Sequence, residues 1–169
     1  MSLPTVARLV RAPLAAGGLT LLVACAGMPE RLSPGTARAE IEQRLGRPTA
    51  VHALPDGTQL QYSRQPAGQQ VYNLRLDAEG RLQQVEQVMD RAAFDAVSVD
   101  RWTREQVLAR FGQPALVERV ARFDGDVWTY RFLETTIPRQ AHVHIDPAGT
   151  VRRVMYTDEQ LPDPPDWAP

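Results

Sequence analysis

The sequence is poor in several residue types, and each shortage excludes a class of protein. Cys25 is the only cysteine among 169 residues, so the chain has no pair of thiols for an internal disulfide. All 19 basic residues are arginine, and 20 acidic residues bring the formal net charge to −1, which leaves no basic excess for nucleic-acid binding. No apolar run after Cys25 is long enough to cross a membrane. The hydrophobic core must therefore stabilise the fold by itself, in one ordinary domain or two small ones.

Sequence signatures of catalysis are missing as well. No Gly-rich phosphate loop follows a predicted strand, and no Ser lies in a nucleophile elbow. Asp77 and Asp146 begin predicted turns, where an Asp side chain binds its own backbone. His142 and His144 would share one face of a strand, but a third metal ligand is lacking, and exposed histidines are the favoured interpretation. We therefore expect no enzymatic activity, no cofactor and no metal.

The first 25 residues have the parts of a secretory signal. Arg8 and Arg11 come first, without an acidic residue, and a mostly apolar segment follows at 14–24. The segment ends in Leu22-Val23-Ala24-Cys25, which resembles the lipobox of bacterial lipoproteins. The resemblance implies that the Cys25 thiol takes a diacylglycerol, that the signal peptide 1–24 is removed, and that the new amino terminus is acylated. The alternative is an inert cysteine buried in a core helix.

Cleavage before Cys25 would leave 145 residues with a net charge of −3, because Arg8 and Arg11 are lost with the signal. Three acyl chains would make the attachment to a membrane effectively permanent. Residues 25–33 lack a periodic pattern and are predicted to form a tether, whose last eight residues would reach about 26 Å when extended. Ala26 stands where retained lipoproteins have Asp, so the resemblance implies export to the outer membrane.

Beyond the tether, the chain carries one sequence pattern twice. In both copies an amphipathic segment ends in Gly-x-Pro, at 46–48 and at 112–114. Further matched pairs follow in the same order: Ile41 with Val107, Leu45 with Phe111, Gly57 with Gly125, Tyr62 with Tyr130, and Gly80 with Gly149. The separation of matched residues changes only from 66 to 69, so the insertions are predicted to lie in turns.

Each copy has the pattern of a helix followed by antiparallel strands. Apolar residues recur every three or four positions before each Gly-x-Pro, and Thr103-Arg-Glu-Gln106 fits a capping box. Asp-Gly pairs at 56–57 and 124–125 are hairpin signals, and the segments around them alternate apolar and polar residues. The sequence therefore predicts an α+β fold of two tandem units, each an N-terminal helix packed on a three- to four-stranded antiparallel sheet.

The predicted units span 34–90 and 99–158. A linker at 91–98 joins them, and its apolar Phe94 and Val97 are candidates for packing between the units. The last nine residues hold four prolines and two aspartates, so 159–169 is predicted to be a disordered tail.

The order of helix, Gly-x-Pro and Gly-x-x-x-x-Tyr resembles the SmpA/OmlA lipoprotein family, which includes the BamE subunit of the outer-membrane barrel-assembly machinery. The same fold is shared by β-lactamase inhibitory proteins, which carry it in tandem. The resemblance covers nearly all of the mature chain. It depends on Ile41, Leu45-Gly46-Arg-Pro48, Tyr62, Thr103, Val107, Phe111-Gly112-Gln-Pro114, Trp128 and Tyr130.

Besides the lipid-attachment residue Cys25, the candidate partner-binding residues are Trp102, Trp128, Tyr130, Arg75, Arg152 and Arg153. Aromatic side chains dominate many interfaces, but core packing is the favoured interpretation of Trp128 and Tyr130. The arginines lie on predicted late strands and could meet acidic partner groups or lipid phosphates. A solvated strand face is the favoured interpretation of all three.

The resemblance implies a non-enzymatic lipoprotein that faces the periplasm and binds a protein partner in envelope assembly, with the barrel-assembly machinery as the expected partner. No nucleic acid and no small-molecule substrate are expected. The alternative is an inhibitor or binding module whose paired sheets form a concave face that covers an enzyme. A large apolar or aromatic face would favour the inhibitor, and a more polar face would favour a scaffold that makes several weak contacts.

Overall fold

The computed structural model describes residues 27–159, which form two four-stranded antiparallel sheets. In the first sheet, β1 (Ala50–Leu54), β2 (Gly57–Ser63), β3 (Val71–Asp77) and β4 (Leu82–Gln87) pair in chain order. In the second sheet, β5 (Leu116–Glu118), β6 (Asp126–Glu134), β7 (Ile137–Ile145) and β8 (Val151–Asp158) do the same. The sequence repeat thus corresponds to a repeated sheet topology.

The two sheets also share local details. The third and fourth strands of each sheet have a register shift at the same place, after Arg75 and after His144. Gly57 and Gly125 begin or precede the second strand, where a Cβ would lie 2.0 Å from Leu76 O and 2.2 Å from Ile145 O. Only glycine allows the backbones to approach so closely, which explains the repeated Asp-Gly pairs.

The helices are short. A 3-10 turn (Pro29–Arg31) precedes α1 (Arg38–Leu45), and α2 (Arg91–Asp95) and α3 (Arg104–Phe111) separate the two sheets along the chain. The predicted capping box of α3 is confirmed, because Thr103 and Gln106 bond each other's backbone. Both Gly-x-Pro glycines end their helices with positive φ, +81° and +74°.

The predicted α+β fold class, in which an N-terminal helix covers each sheet, is wrong. The described chain is mostly antiparallel sheet, and α1 and α3 have only eight residues each. Such a helix is about 12 Å long, so it buries few side chains: Ile41 from α1, and Val107 and Phe111 from α3. The strands supply most of the buried residues instead.

The larger of two hydrophobic clusters contains residues from both sequence repeats. Phe94 of α2 stacks on Phe111 of α3 with ring centroids 4.3 Å apart, and it also contacts Tyr130 and Phe132 of β6. Val71 of β3 belongs to the same cluster. The residues predicted to be a linker are therefore the centre of a shared core.

The smaller cluster lies on one face of the first sheet, and it includes part of the predicted tether. Leu32 is buried there, and Gly27 N donates a hydrogen bond to Arg44 O at 3.3 Å. The Tyr72 hydroxyl donates to the Glu30 carboxylate. Residues 27–33 are thus packed against the first sheet rather than extended, because side chains distant in the sequence bind them.

No helix within residues 27–159 is long and apolar enough to span a membrane. The predicted signal peptide, Cys25 and residues 160–169 of the predicted tail lie outside the described residues.

Candidate functional site

The first sheet has both faces engaged. Leu60 and Tyr62 point into the smaller cluster, so Gln59 and Gln61 point to the opposite face. There the side-chain amides of Gln59, Gln61 and Asn73 donate to Ala109 O (2.7 and 3.2 Å) and Arg110 O (2.8 Å) at the end of α3. The last carbonyls of a helix lack partners within the helix, so these amides satisfy them. We call this contact the polar seam.

An ion pair closes the side of the polar seam. Arg110 of α3 binds Glu86 of β4 with two hydrogen bonds, of 2.7 and 2.6 Å. This bidentate geometry fixes orientation as well as distance. The face of the first sheet that bears the seam is therefore covered in part by the second repeat.

The second sheet has one face that is only partly covered. Its inner face, with Trp128, Tyr130 and Phe132, packs into the shared core. The opposite side chains belong to neither hydrophobic cluster, and we call this surface the open face. It consists of Leu116, Glu118, Val127, Thr129, Arg131, Leu133, Pro138, Gln140, His142, His144, Arg153, Met155 and Thr157, of which Val127, Thr129 and His144 are buried.

Exposed apolar side chains are concentrated in the second repeat. Among the described residues, seven of the nine large hydrophobic side chains that are exposed follow residue 98. Three of them lie on the open face: Leu116 is 50%, Leu133 41% and Met155 43% exposed. They are spaced among polar residues, so the face is amphipathic and has no single apolar patch.

His142 links three strands across the open face. Its Nδ1 lies 2.9 Å from Thr129 Oγ1 on β6, and its Nε2 lies 2.8 Å from Thr157 Oγ1 on β8. Burial lowers the pKa of His142, against a smaller opposite effect of the Glu118 charge. Both ring nitrogens are bonded to hydroxyl groups, so this imidazole holds the side chains of β6 and β8 in position.

His144 differs from the sequence expectation of an exposed histidine. It is only 8% exposed, because the Phe123 ring meets its ring edge to face at a centroid distance of 4.9 Å. Burial, and to a lesser extent the charges of Arg153 and His142, lower the pKa of His144.

Within residues 27–159 no group of three or more His, Cys, Asp or Glu side chains is placed to hold a metal ion.

The three candidate aromatic residues do not form a surface. Tyr130 is fully buried, and its hydroxyl donates to Gly112 O at 2.8 Å. Trp128 is 6% exposed and lies in the shared core. Trp102 is half-buried and contacts Phe111 at a centroid distance of 6.3 Å. The geometry therefore places Trp128 and Tyr130 in the core, and Trp102 at its margin.

The three candidate arginines lie in separate places. Arg75 pairs with Asp56 at 2.9 Å beside the first hairpin. Arg152 bridges Asp100 and Asp146, both at 2.7 Å. Only Arg153 lies on the open face, and it forms no ion pair with a described residue. The exposed Leu116, Leu133 and Met155 were not predicted from the sequence, because alternation does not show which face of a strand is covered.

A cleft lies between the first sheet and the end of α3. This cleft of about 350 Å³ is lined by nine residues, among them His52, Ser63 and Gln113. His52 Nε2 is buried without a hydrogen-bond partner in the described chain. No carboxylate lines the cleft, so its residues do not form a hydrogen-bonded acid–base arrangement.

Comparisons with known proteins identify no family for this chain. No family model matches it, and no curated protein matches it. Among solved structures, it is similar to the crystal structure of a DUF4309 family protein (YjgB) from Bacillus subtilis subsp. subtilis str. 168, with 16% sequence identity over 73% of this chain and 79% of that chain. The TM-score is 0.30, so this likeness carries no argument about fold or function.

Proposed function

We propose that this protein is a non-enzymatic lipoprotein of the outer membrane that faces the periplasm. Its lipid is attached at Cys25, within the lipobox-like sequence Leu22-Val23-Ala24-Cys25. In this proposal it acts as a scaffold that binds a protein partner in envelope assembly, and the expected partner is the barrel-assembly machinery. The anchor confines the folded part near the membrane and so raises its effective concentration for partners there.

The observation that carries the scaffold function is the composition of the open face. Leu116, Leu133 and Met155 offer apolar contacts, while the residues between them are polar. Non-obligate interfaces have this mixed character, whereas obligate ones are more apolar. The face therefore suits a partner that binds with moderate affinity.

The alternative of an inhibitor with a concave face made of two sheets has less support. The first sheet engages α3 through the polar seam, so the two sheets do not present equivalent free faces. The open face also lacks the exposed aromatic residues that anchor tight interfaces.

Chemical crosslinking in cells, followed by detergent solubilisation, affinity purification and mass spectrometry, tests the proposal. Barrel-assembly subunits should be enriched with the native chain and depleted with Cys25→Ser. The double variant Leu116→Asp and Leu133→Asp should reduce that enrichment about tenfold, because charged side chains replace apolar contacts. Val51→Asp is the matched control, since Val51 is 48% exposed on the first sheet.

Three outcomes separate the parts of the proposal. If Cys25→Ser stays membrane-bound after a high-salt wash, the lipid anchor is wrong. If one soluble periplasmic enzyme replaces the assembly subunits, the inhibitor is the better hypothesis. If Val51→Asp lowers enrichment as much as the double variant, the open face is not the interface.

A further inference from the structure

The cleft between the first sheet and the end of α3 continues the polar seam towards the edge strand β1. Ala50 and His52 of β1 line it on the same face of the sheet as Gln61, because Ala50 and Gln61 are paired across the strands. Leu108 and Gly112, at the end of α3, close the other side. Its volume of about 350 Å³ falls within the range of ~300–1,000 Å³ that is usual for small-molecule sites.

The lining of the cleft is polar but contains no Arg, Asp or Glu. Amide, hydroxyl and imidazole side chains provide the polar groups, and Ala50 and Leu108 provide the apolar ones. A charged ligand would lose its hydration there without gaining an ion pair. The lining therefore favours a neutral ligand.

Gln61 contributes an unpaired acceptor to the wall of the cleft. Its Nε2 donates to Asn73 Oδ1 and to two carbonyl oxygens of α3, which fixes the orientation of the amide. Its Oε1 accepts no hydrogen bond from another described residue, and it lies beside Gly112, where a Cβ would come within 2.9 Å of it. Gln61 is only 1% exposed, so a buried side chain presents a free oxygen on the Gly112 side, where both residues line the cleft.

Three further groups in the lining can bond a ligand. His52 Nε2 is buried without a partner among the described residues, although buried polar atoms are usually paired. Ser63 Oγ accepts from Gln65 N at 3.2 Å, which leaves its hydroxyl hydrogen free to donate. Gln113 is exposed, and its amide can both donate and accept. The cleft thus offers donors and acceptors without a charge.

We propose that this cleft binds a neutral sugar. Sugar hydroxyl groups both donate and accept, so one hydroxyl can donate to Gln61 Oε1 while another accepts from Ser63. The C–H groups of a pyranose ring can lie against Ala50 and Leu108. The sugar is a bound ligand rather than a substrate, since no carboxylate lines the cleft to act as an acid or a base. The proposal goes beyond the proposed function and does not depend on the lipid at Cys25.

Nuclear magnetic resonance titration of the full acylated chain, isotope-labelled and held in amine-oxide micelles, tests the proposal without a detergent that carries a sugar. Glucose and maltose represent free sugars, whereas N-acetylglucosamine and chitobiose represent the glycan of a cell wall. At millimolar concentrations, one of these pairs should saturably shift the side-chain amide signals of Gln61 and Gln113 and the backbone amide signal of Gly112. Glucosamine and glucuronate, which are charged, should bind at least about tenfold more weakly.

Substitutions on β1 separate the cleft from the rest of the surface. Ala50→Leu places a larger side chain in the cleft and should abolish binding. Ala53→Leu is the matched control, because Ala53 is exposed on the opposite face of the same strand, and it should leave the affinity unchanged. Gln113→Ala removes an exposed amide and should weaken binding about two- to tenfold, as expected for one hydrogen bond.

The outcomes are distinct. Saturable shifts that are lost with Ala50→Leu and kept with Ala53→Leu support the proposal, and the pair of sugars that binds identifies the source of the ligand. The proposal is overturned if none of the four neutral sugars shifts the signals, or if the charged sugars bind equally well. Equal loss of affinity with Ala50→Leu and Ala53→Leu would place the site outside the cleft. If circular dichroism shows that Ala50→Leu does not fold, Gln113→Ala decides in its place, and an unchanged affinity then overturns the proposal.

Discussion

Gln61 is the least exposed polar side chain of the described chain, at 1%. Its Nε2 lies 3.1 Å from Asn73 Oδ1, 3.3 Å from Leu108 O and 3.2 Å from Ala109 O. A buried acceptor that is left without a donor destabilises the folded protein by its full desolvation cost. That cost is larger than the net stabilisation from an intact hydrogen bond. Gln61 is the most buried member of the polar seam.

We predict that Gln61→Leu lowers the free energy of unfolding by about 2 kcal/mol, because the buried Asn73 Oδ1 loses its donor, whereas Ala109 O keeps Gln59 and Leu108 O keeps Gly112 N. Gln84→Leu is the matched control, since Gln84 is exposed on β4 of the same sheet, and it should change stability by less than about 0.5 kcal/mol. Urea denaturation followed by circular dichroism measures both. Equal losses would show that the seam adds nothing to stability.

We expect His144 to make the stability of the protein depend on pH. Its pKa lies below the ordinary 6.5 in the folded protein, through burial first and then the charges of Arg153 and His142. The unfolded chain therefore binds more protons in mild acid. Stability should be complete above pH 6.5 and should fall as the pH drops below that value.

We predict that His144→Gln reduces this loss in mild acid. Urea midpoints measured from pH 7.5 down to pH 5, with the wild type in parallel, test the prediction. The variant should have a smaller drop, because Gln cannot take up the proton that favours the unfolded chain. Parallel pH profiles would mean that His144 has no part in the dependence.

At the scale of the elements, α1 and α3 differ at their first residue. Thr103 caps α3 within a capping box, whereas Ala37 offers α1 no side-chain cap. The third helical residue of α1 is Glu40, which is the residue type that completes such a box. Ala37 and Thr103 both have an extended backbone conformation, so a threonine at position 37 is compatible with the same capping box.

We predict that Ala37→Thr raises the free energy of unfolding by about 0.5–1 kcal/mol, and that Thr103→Ala lowers it by about 1 kcal/mol. Ala39→Thr, within the first turn of α1, is the control and should be neutral or slightly destabilising. Urea midpoints, measured for variants whose m-value is unchanged, give the change in free energy of unfolding for all three substitutions. A loss of stability with Ala37→Thr would mean that the helix start has no room for the hydroxyl-bearing side chain.

At the scale of the whole molecule, the shared core joins the two sequence repeats. Phe94 lies between them, and Val71 from the first sheet shares its cluster with Tyr130 from the second. The polar seam and the Arg110–Glu86 pair add contacts at the margin. The first repeat has a hydrophobic cluster of its own, but the core of the second repeat includes α2 and Val71 of the first sheet, so we expect the two repeats to unfold together.

We predict a single cooperative transition, with tryptophan fluorescence and far-ultraviolet circular dichroism coinciding. Phe94→Ala should cost about 3–5 kcal/mol, because the cavity lies in the shared core. Val99→Ala is the control, since Val99 is 42% exposed, and it should have little effect. Two separated transitions in the wild type would show that the repeats are independent folding units.

Much of the local structure could be predicted from the sequence. The capping box at Thr103, the helix ends at Gly46 and Gly112, and the turns before Gly80 and Gly149 are all present. Each depends on neighbours within four residues, which is why a local pattern suffices. The candidate surface was predicted less well, because Arg75 and Arg152 bind carboxylates distant in the sequence.

The sequence by itself therefore determined the capping box of α3, the glycine ends of α1 and α3 and the turns before Gly80 and Gly149, and that one pattern occurs twice. Its lipobox-like segment and the outer-membrane localisation stay predictions. Only the tertiary structure decided that strands rather than helices fill the core, that residues 27–33 are packed, and that one face of the second sheet is only partly covered. The reason is that alternation assigns a residue to one of two faces, whereas burial of a face depends on which distant segment packs against it.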